Sequence, residues 1–164
     1  MNSFFLDASA LAKRYSLEVG ADRVDYLFDH MPPSSLMCLM LGVAEVVSVL
    51  VRRRNSDLLS PTAFAQGMIN LKAEIVDADD FNVLPIDNSL IAAAMPLIEK
   101  HAVNATDAVI LRLALDLATQ LRINNNDLVL ITCDQRLLRA AQTEGLVTFD
   151  PETQMMADLE ALCA

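Results

Sequence analysis

A chain of 164 residues, 54% hydrophobic and without tryptophan, is long enough to bury one core of aliphatic side chains and is read as a single domain over residues 1–164. Its net charge of −10 excludes polyanion binding by bulk attraction, so any nucleic-acid contact must rest on local clusters of Lys and Arg. The three cysteines, Cys38, Cys133 and Cys163, are too far apart for a disulfide framework or a cysteine zinc site, and with no basic-then-apolar leader at the start they fit a cytoplasmic protein.

The apolar run Ser3–Leu6 predicts a buried strand that stops at Asp7, followed by a helix over Ala8–Tyr15. A second helix, Val19–His30, ends before Pro32-Pro33, which cannot continue it. Leu36–Met40 reads as a strand and Val43–Arg54 as a helix, with Gly42 between them. Ser60-Pro61 supplies an N-cap and an N1 proline for a helix running toward Val76. Phe81–Leu84 is a short strand, and Asp87 or Asn88 caps a helix through His101. Thr106–Leu121 is a strongly apolar helix, and Asn124–Asp127 a polar loop. Leu128–Thr132 is a buried strand, Asp134–Gly145 a helix with glycine past its end, Val147–Phe149 a short strand and Gln154–Leu162 a terminal helix.

Strands alternating with helices predict an α/β fold, a three-layer α/β/α sandwich around a mainly parallel sheet. Ser34–Val51 is almost wholly apolar and precedes Arg52-Arg53-Arg54, the outline of a short membrane span. Glu45 in its middle is costly in lipid and Gly42 divides it, so no membrane association is expected.

Four carboxylates stand at informative positions. Asp7 and Asp134 follow predicted strands, where open parallel sheets bind their ligands. Both also precede helices, and an aspartate in that position, taken alone, is more often a simple N-cap. Asp107 opens an apolar helix and could be a first-turn acid favoured by the helix dipole. Glu45 lies mid-helix among apolar neighbours, where a carboxylate needs a partner, an ion pair or a cation. Converging carboxylates repel unless a cation joins them. An all-oxygen set points to Mg²⁺ or Mn²⁺, and such a centre suits phosphoryl chemistry.

The segments "LDASALAKRY", "AEVVSVLVRR", "ATDAVILRLAL" and "LITCDQRLLRAAQTEGL", in this order from Phe5 to about Pro151, resemble the PIN-domain family and within it the VapC-type toxins of toxin–antitoxin systems. The resemblance implies a PIN-like fold and an Mg²⁺- or Mn²⁺-dependent endoribonuclease. Asp7, Glu45, Asp107 and Asp134 would be its acidic quartet, with Ser9 and Thr132 as supporting hydroxyls. It implies hydrolysis of an RNA phosphodiester to a 5′-phosphate and a 3′-hydroxyl, with Asp7, Asp107 and Asp134 holding the metal and Glu45 positioning it or the water. It also implies a homodimer and a small antitoxin protein that covers the site.

Basic residues cluster on the same segments: Lys13 and Arg14 after Asp7, Arg52 with Arg53 and Arg54 after Glu45, Arg136 and Arg139 after Asp134. They are candidates for a rim that contacts RNA, although the helix dipole alone would favour the arginines at the end of Val43–Arg54. His30 and His101 read as helix-end residues, and Cys133, with no histidine nearby in the segment, as packing. The rival reading is a catalytically silent PIN-like module that binds RNA or protein.

Overall fold

The computed structural model of the chain describes residues 1–164. Strand β1 (Ser3–Leu6) is followed by the single turn α1 (Ala8–Leu11), which tightens into a 3₁₀ turn at Ala12–Tyr15, and by α2 (Ala21–His30). Then come β2 (Leu36–Leu39), α3 (Met40–Asn55) and α4 (Pro61–Leu71), which widens into a π turn over Lys72–Val76. The second half runs β3 (Asn82–Leu84), α5 (Asn88–His101), α6 (Ala105–Arg122), β4 (Leu128–Ile131), α7 (Gln135–Thr143), β5 (Val147–Phe149) and α8 (Met156–Cys163).

The five strands form one sheet in the order β3-β2-β1-β4-β5. Every pairing is parallel, with Phe4 opposite Leu36 on one side and Val129 on the other. The three central strands are covered on both faces, which is why they read as continuous apolar runs rather than alternating ones. Phe4, Leu6, Cys38, Val129 and Ile131 face one helical layer built from α1, α2, α3 and α8. Phe5, Met37, Leu128 and Leu130 face the other, from α5, α6 and α7. The chain crosses from β1 to β2 on one side and returns to β4 on the other. The sheet therefore has its switch point at the carboxyl ends of β1 and β4, where the Asp7 N–H donates to the Ile131 carbonyl at 3.0 Å.

The apolar stretch Ser34–Val51 divides into a 3₁₀ turn, β2 and α3, and no helix is long and apolar enough to cross a membrane. The division falls at Met40 rather than at Gly42. Leu39 serves as an N-cap without a side-chain hydrogen bond, and Gly42 is taken into the first turn of α3. Gly20, ahead of α2, is in the left-handed region at φ 86°, and a Cβ there would lie 2.5 Å from the Pro151 carbonyl oxygen. Glycine thus lets the start of α2 approach the turn after β5, where Arg23 Nε donates to the Gln154 carbonyl at 3.0 Å.

Candidate functional site

The switch point opens into a cleft of about 350 Å³ lined by Asp7, Ser9, Glu45, Arg52, Asp107 and Asp134, with Ala8, Ser48 and Val49. All four acids singled out in the sequence are brought together here from four elements: the end of β1, the middle of α3, the first turn of α6 and the start of α7.

Asp7 and Asp134 are N-caps and cleft residues at once, because a carboxylate has two oxygens. Asp7 Oδ2 accepts from Ser9 N at 3.3 Å, Ser9 Oγ at 2.6 Å and Thr132 Oγ1 at 2.9 Å, and its Oδ1 makes no hydrogen bond. Asp134 Oδ1 accepts from the N–H groups of Arg136 at 2.7 Å and Leu137 at 3.0 Å, and its Oδ2 makes none. Ser9 Oγ accepts from Cys133 N at 3.0 Å, and Thr132 Oγ1 from Asp134 N at 3.1 Å. Each hydroxyl has one proton, and with both protons on Asp7 the lone pairs face the backbone. The pair therefore fixes Asp7 against the strand that leads to Asp134. Thr132 is fully buried, as this role requires.

Asp107 is in a different state. The Asn104 side chain caps α6 by accepting from Asp107 N at 2.8 Å. The Asp107 carboxylate is 7% exposed, and its Oδ2 is buried with no hydrogen-bond partner. Burial, then the charges of Asp134 and Asp7, push its pKa from 3.8 up to about 6, with Arg136 opposing them. Glu45 is half-buried at the cleft rather than within the core, and burial followed by the charge of Asp7 raises its pKa as well. Glu45, Ser48, Val49 and Arg52 line the cleft at i, i+3, i+4 and i+7, one face of α3. That spacing was the available sequence signal for Ser48 and Val49, which the motif reading passed over.

The carboxylates surround the cleft without meeting at one point, and no three acidic, histidine or cysteine side chains converge closely enough to form a ready-made metal site. In kind the set nonetheless fits a hard divalent cation. Its donors are all carboxylate oxygens, Asp7 and Asp134 each keep one oxygen free, and Asp107 Oδ2 is an orphaned buried acceptor.

Two of the four candidate RNA-contacting residues are held away from the cleft. Lys13 is 3% exposed, with its ammonium 2.6 Å from Glu152 and 3.9 Å from Glu18. Arg14 pairs with Glu74 at 3.0 Å and Asp25 at 2.9 Å and lies over the Phe28 ring. Both project from the 3₁₀ turn, whose tighter winding points them at α2 and the turn after β5. The shortest contact of Lys13, to Glu152, and the two-nitrogen contact of Arg14, to Glu74, lie 139 and 60 residues away in sequence, which hid this from pattern reading. Arg52 lines the cleft, and Arg136 is exposed beside it. Arg53, beside Arg52, is turned inward to Glu18 at 2.9 Å. Burial holds the Cys133 thiol up to about 12, so it is protonated at neutral pH and no nucleophile. His101 pairs with Glu144 at 2.5 Å, outside the cleft.

The profile of the PIN domain matches residues 4–143, most of the chain and every element that contributes to the cleft. The chain belongs to the PIN domain family. PIN domains are generally nucleases. Among solved structures this PIN domain is similar to PAE2754 from Pyrobaculum aerophilum, at 20% identity and TM-score 0.62 with 98% of each chain covered. It is similar to VapC20 of Mycobacterium tuberculosis, described as a Sarcin-Ricin loop cleaving toxin, at 17% identity and TM-score 0.60, with 88% of this chain and 97% of that one covered. It is also similar to FitAcB of Neisseria gonorrhoeae, at 16% identity and TM-score 0.58, with 92% and 99% covered. No curated protein sequence matches the chain.

Proposed function

We propose that this PIN domain, acting as one unit over residues 1–164, is a metal-dependent endoribonuclease and the toxin of a toxin–antitoxin pair. The observation that carries the reading is the cleft at the β1/β4 switch point, in which three carboxylates, Asp7, Glu45 and Asp134, surround Asp107, whose buried Oδ2 has no partner and whose pKa is raised. A cluster that raises its own pKa values is costly in isolation and is stabilised by a divalent cation. Asp7, Asp107 and Asp134 would hold the ion, with Glu45 completing its surroundings. Mg²⁺ or Mn²⁺ is proposed from the all-oxygen donor set. When bound, such an ion supplies an acidified water and charge neutralisation at a phosphate.

The chain's own residues do the rest. Ser9 and Thr132 hold Asp7 in one orientation through Oδ2, which leaves Oδ1 free to take a ligand. The α7 N–H groups do the same for Asp134. Arg52, at the mouth of the cleft on the Glu45 face of α3, places a guanidinium where an incoming phosphodiester would sit. Glu45, with its raised pKa, is suited to exchange a proton with the attacking water.

The proposed partners are a second copy of the chain and a small antitoxin, in a cytoplasmic setting. Two apolar surfaces support them. One is a groove of about 470 Å³ between α3 and α4, lined by Val43, Val47, Met68, Ile69 and Val76. The other is the face of α5 that exposes Ile91, Met95 and Ile98.

The test is Mn²⁺ titration by calorimetry, with cleavage of a mixed RNA pool, on the wild type and Asp107→Asn. Saturable binding and metal-dependent cleavage in the wild type, both weakened in the variant, are the expected results. Equal weak binding in the two proteins and no cleavage would sink the reading in favour of a silent binding module.

A further inference from the structure

The free cations of this acidic protein are gathered on one side. Of its twelve Lys and Arg residues, only Arg52, Arg54, Arg136 and Arg139 form no ion pair. Arg54 is occupied by the Phe64 ring, 4.4 Å away, and by the Asn55 side chain. That leaves Arg52 in the carboxylate cleft and two exposed arginines one turn apart on α7.

Arg136 and Arg139 line a second cavity of about 310 Å³ against His101 and Ala102 at the end of α5. It adjoins the carboxylate cleft: Asp134 in the cleft caps the helix that carries both arginines, and the charge of Arg136 reaches Asp107. Two electronegative features face it. Glu144 is neutralised by Lys100 at 2.6 Å and hydrogen-bonded to His101 at 2.5 Å, and the C-terminal carbonyls of α5 carry only partial charge. The arginines dominate.

Neither arginine is where helix stability would put it. Arg136 sits in the first turn of α7, where the helix dipole disfavours a cation, and Arg139 repels it across one turn. No carboxylate pairs with either, and neither packs on an aromatic ring. Arg136 is offset only by the charge of the nearby cleft acids, and Arg139 by nothing within reach; local choices that cost stability mark binding positions.

We infer that the Arg136–Arg139 cavity is a subsite for a backbone phosphate of single-stranded nucleic acid, next to the phosphate over the carboxylate cleft. The inference rests on the ribonuclease reading. It adds that the enzyme holds its substrate beyond the scissile bond, and that Arg139, outside the cleft, contributes to affinity and not to the chemical step.

The test compares the wild type with Arg136→Ala/Arg139→Ala and with Arg139→Ala alone. Binding of a fluorescein-labelled 12-mer RNA is followed by anisotropy in an Asp107→Asn background across a KCl series. Cleavage of the 12-mer and of a dinucleotide is measured with Asp107 intact. The expected result is a salt-dependence slope smaller by about 0.7 in the double variant, with affinity at 0.1 M salt weaker by about 3- to 10-fold. KM for the 12-mer should rise at unchanged kcat in Arg139→Ala, and dinucleotide cleavage should stay as it was. An unchanged slope and KM while the wild type still cuts RNA overturns the subsite alone. An equal loss of kcat on both substrates places the arginines in the cleft and also overturns it. A wild type that neither binds nor cuts RNA overturns both readings. Loss of binding to poly-glutamate with RNA affinity unchanged assigns the cavity to an acidic protein partner instead.

Discussion

Asp107→Asn in metal-free protein should be more stable than the wild type at neutral and alkaline pH, and should lose that advantage by pH 4. The folded pKa of about 6, against an ordinary 3.8, means that the fold prefers the protonated carboxyl. In the window between those values the native state binds more protons than the unfolded chain, so stability falls as pH rises through it. The penalty is absent below about pH 4 and complete above about pH 7. At ~1.4 kcal/mol per pH unit it amounts to about 3 kcal/mol. Water in the open cleft screens part of this, and the amide gives up the favourable dipole of the first turn of α6, together leaving a gain of about 1 to 2 kcal/mol. For a protein of this size that is a rise in Tm of about 2 to 8 °C. The assay is a pair of thermal or urea melts in EDTA at pH 8 and pH 4. Saturating Mn²⁺ at pH 8 should reverse the order, because it stabilises the wild type more. A variant that is less stable at pH 8 in EDTA, or a difference that does not change with pH, would refute the argument that Asp107 is an unpaired acid in a repulsive cluster.

Thr132→Val removes one bond to Asp7 and leaves Asp134 N without its acceptor, so urea melts should show a loss of about 1 to 3 kcal/mol. Calorimetry should also show Mn²⁺ affinity lowered by about 10- to 100-fold. Lys13→Ala deletes a buried stem and its link to Glu152, and should lower Tm by about 4 to 8 °C. The salt dependence of RNA binding should not move in that variant, and a changed slope would return Lys13 to the binding rim. Gly20→Ala forces a Cβ onto the Pro151 carbonyl at a positive φ, and differential scanning calorimetry should register a loss of more than about 1 kcal/mol.

The sheet was legible because its central strands are buried on both faces. "FFL", "LMCL" and "LVLI" are apolar without interruption, and the first and last are closed off by Asp7 and Thr132. The four acids were legible as a set once strand ends were located. Their roles were not, since cap and cleft were weighed as alternatives while Asp7 and Asp134 do both with different oxygens. The start of α3 was misplaced by three residues because glycine is tolerated in a first turn and Leu39 offers no capping side chain. Lys13 resembled a free cation because its partner, Glu152, lies 139 residues away, beyond any local pattern. Arg139 differs from a solvated surface arginine only by the lack of an acid within reach, a property of the folded surface.

The double use of Asp7 and Asp134 also governs how this protein can lose its activity. A lesion at either position removes a helix cap, at a cost of about 0.5 to 2 kcal/mol, together with an acid of the cleft, so the fold is weakened along with the site. Glu45 and Asp107 hold up no helix with their side chains. Substitutions there are the routes by which a lineage, or an experimenter, obtains a silent copy that keeps its shape.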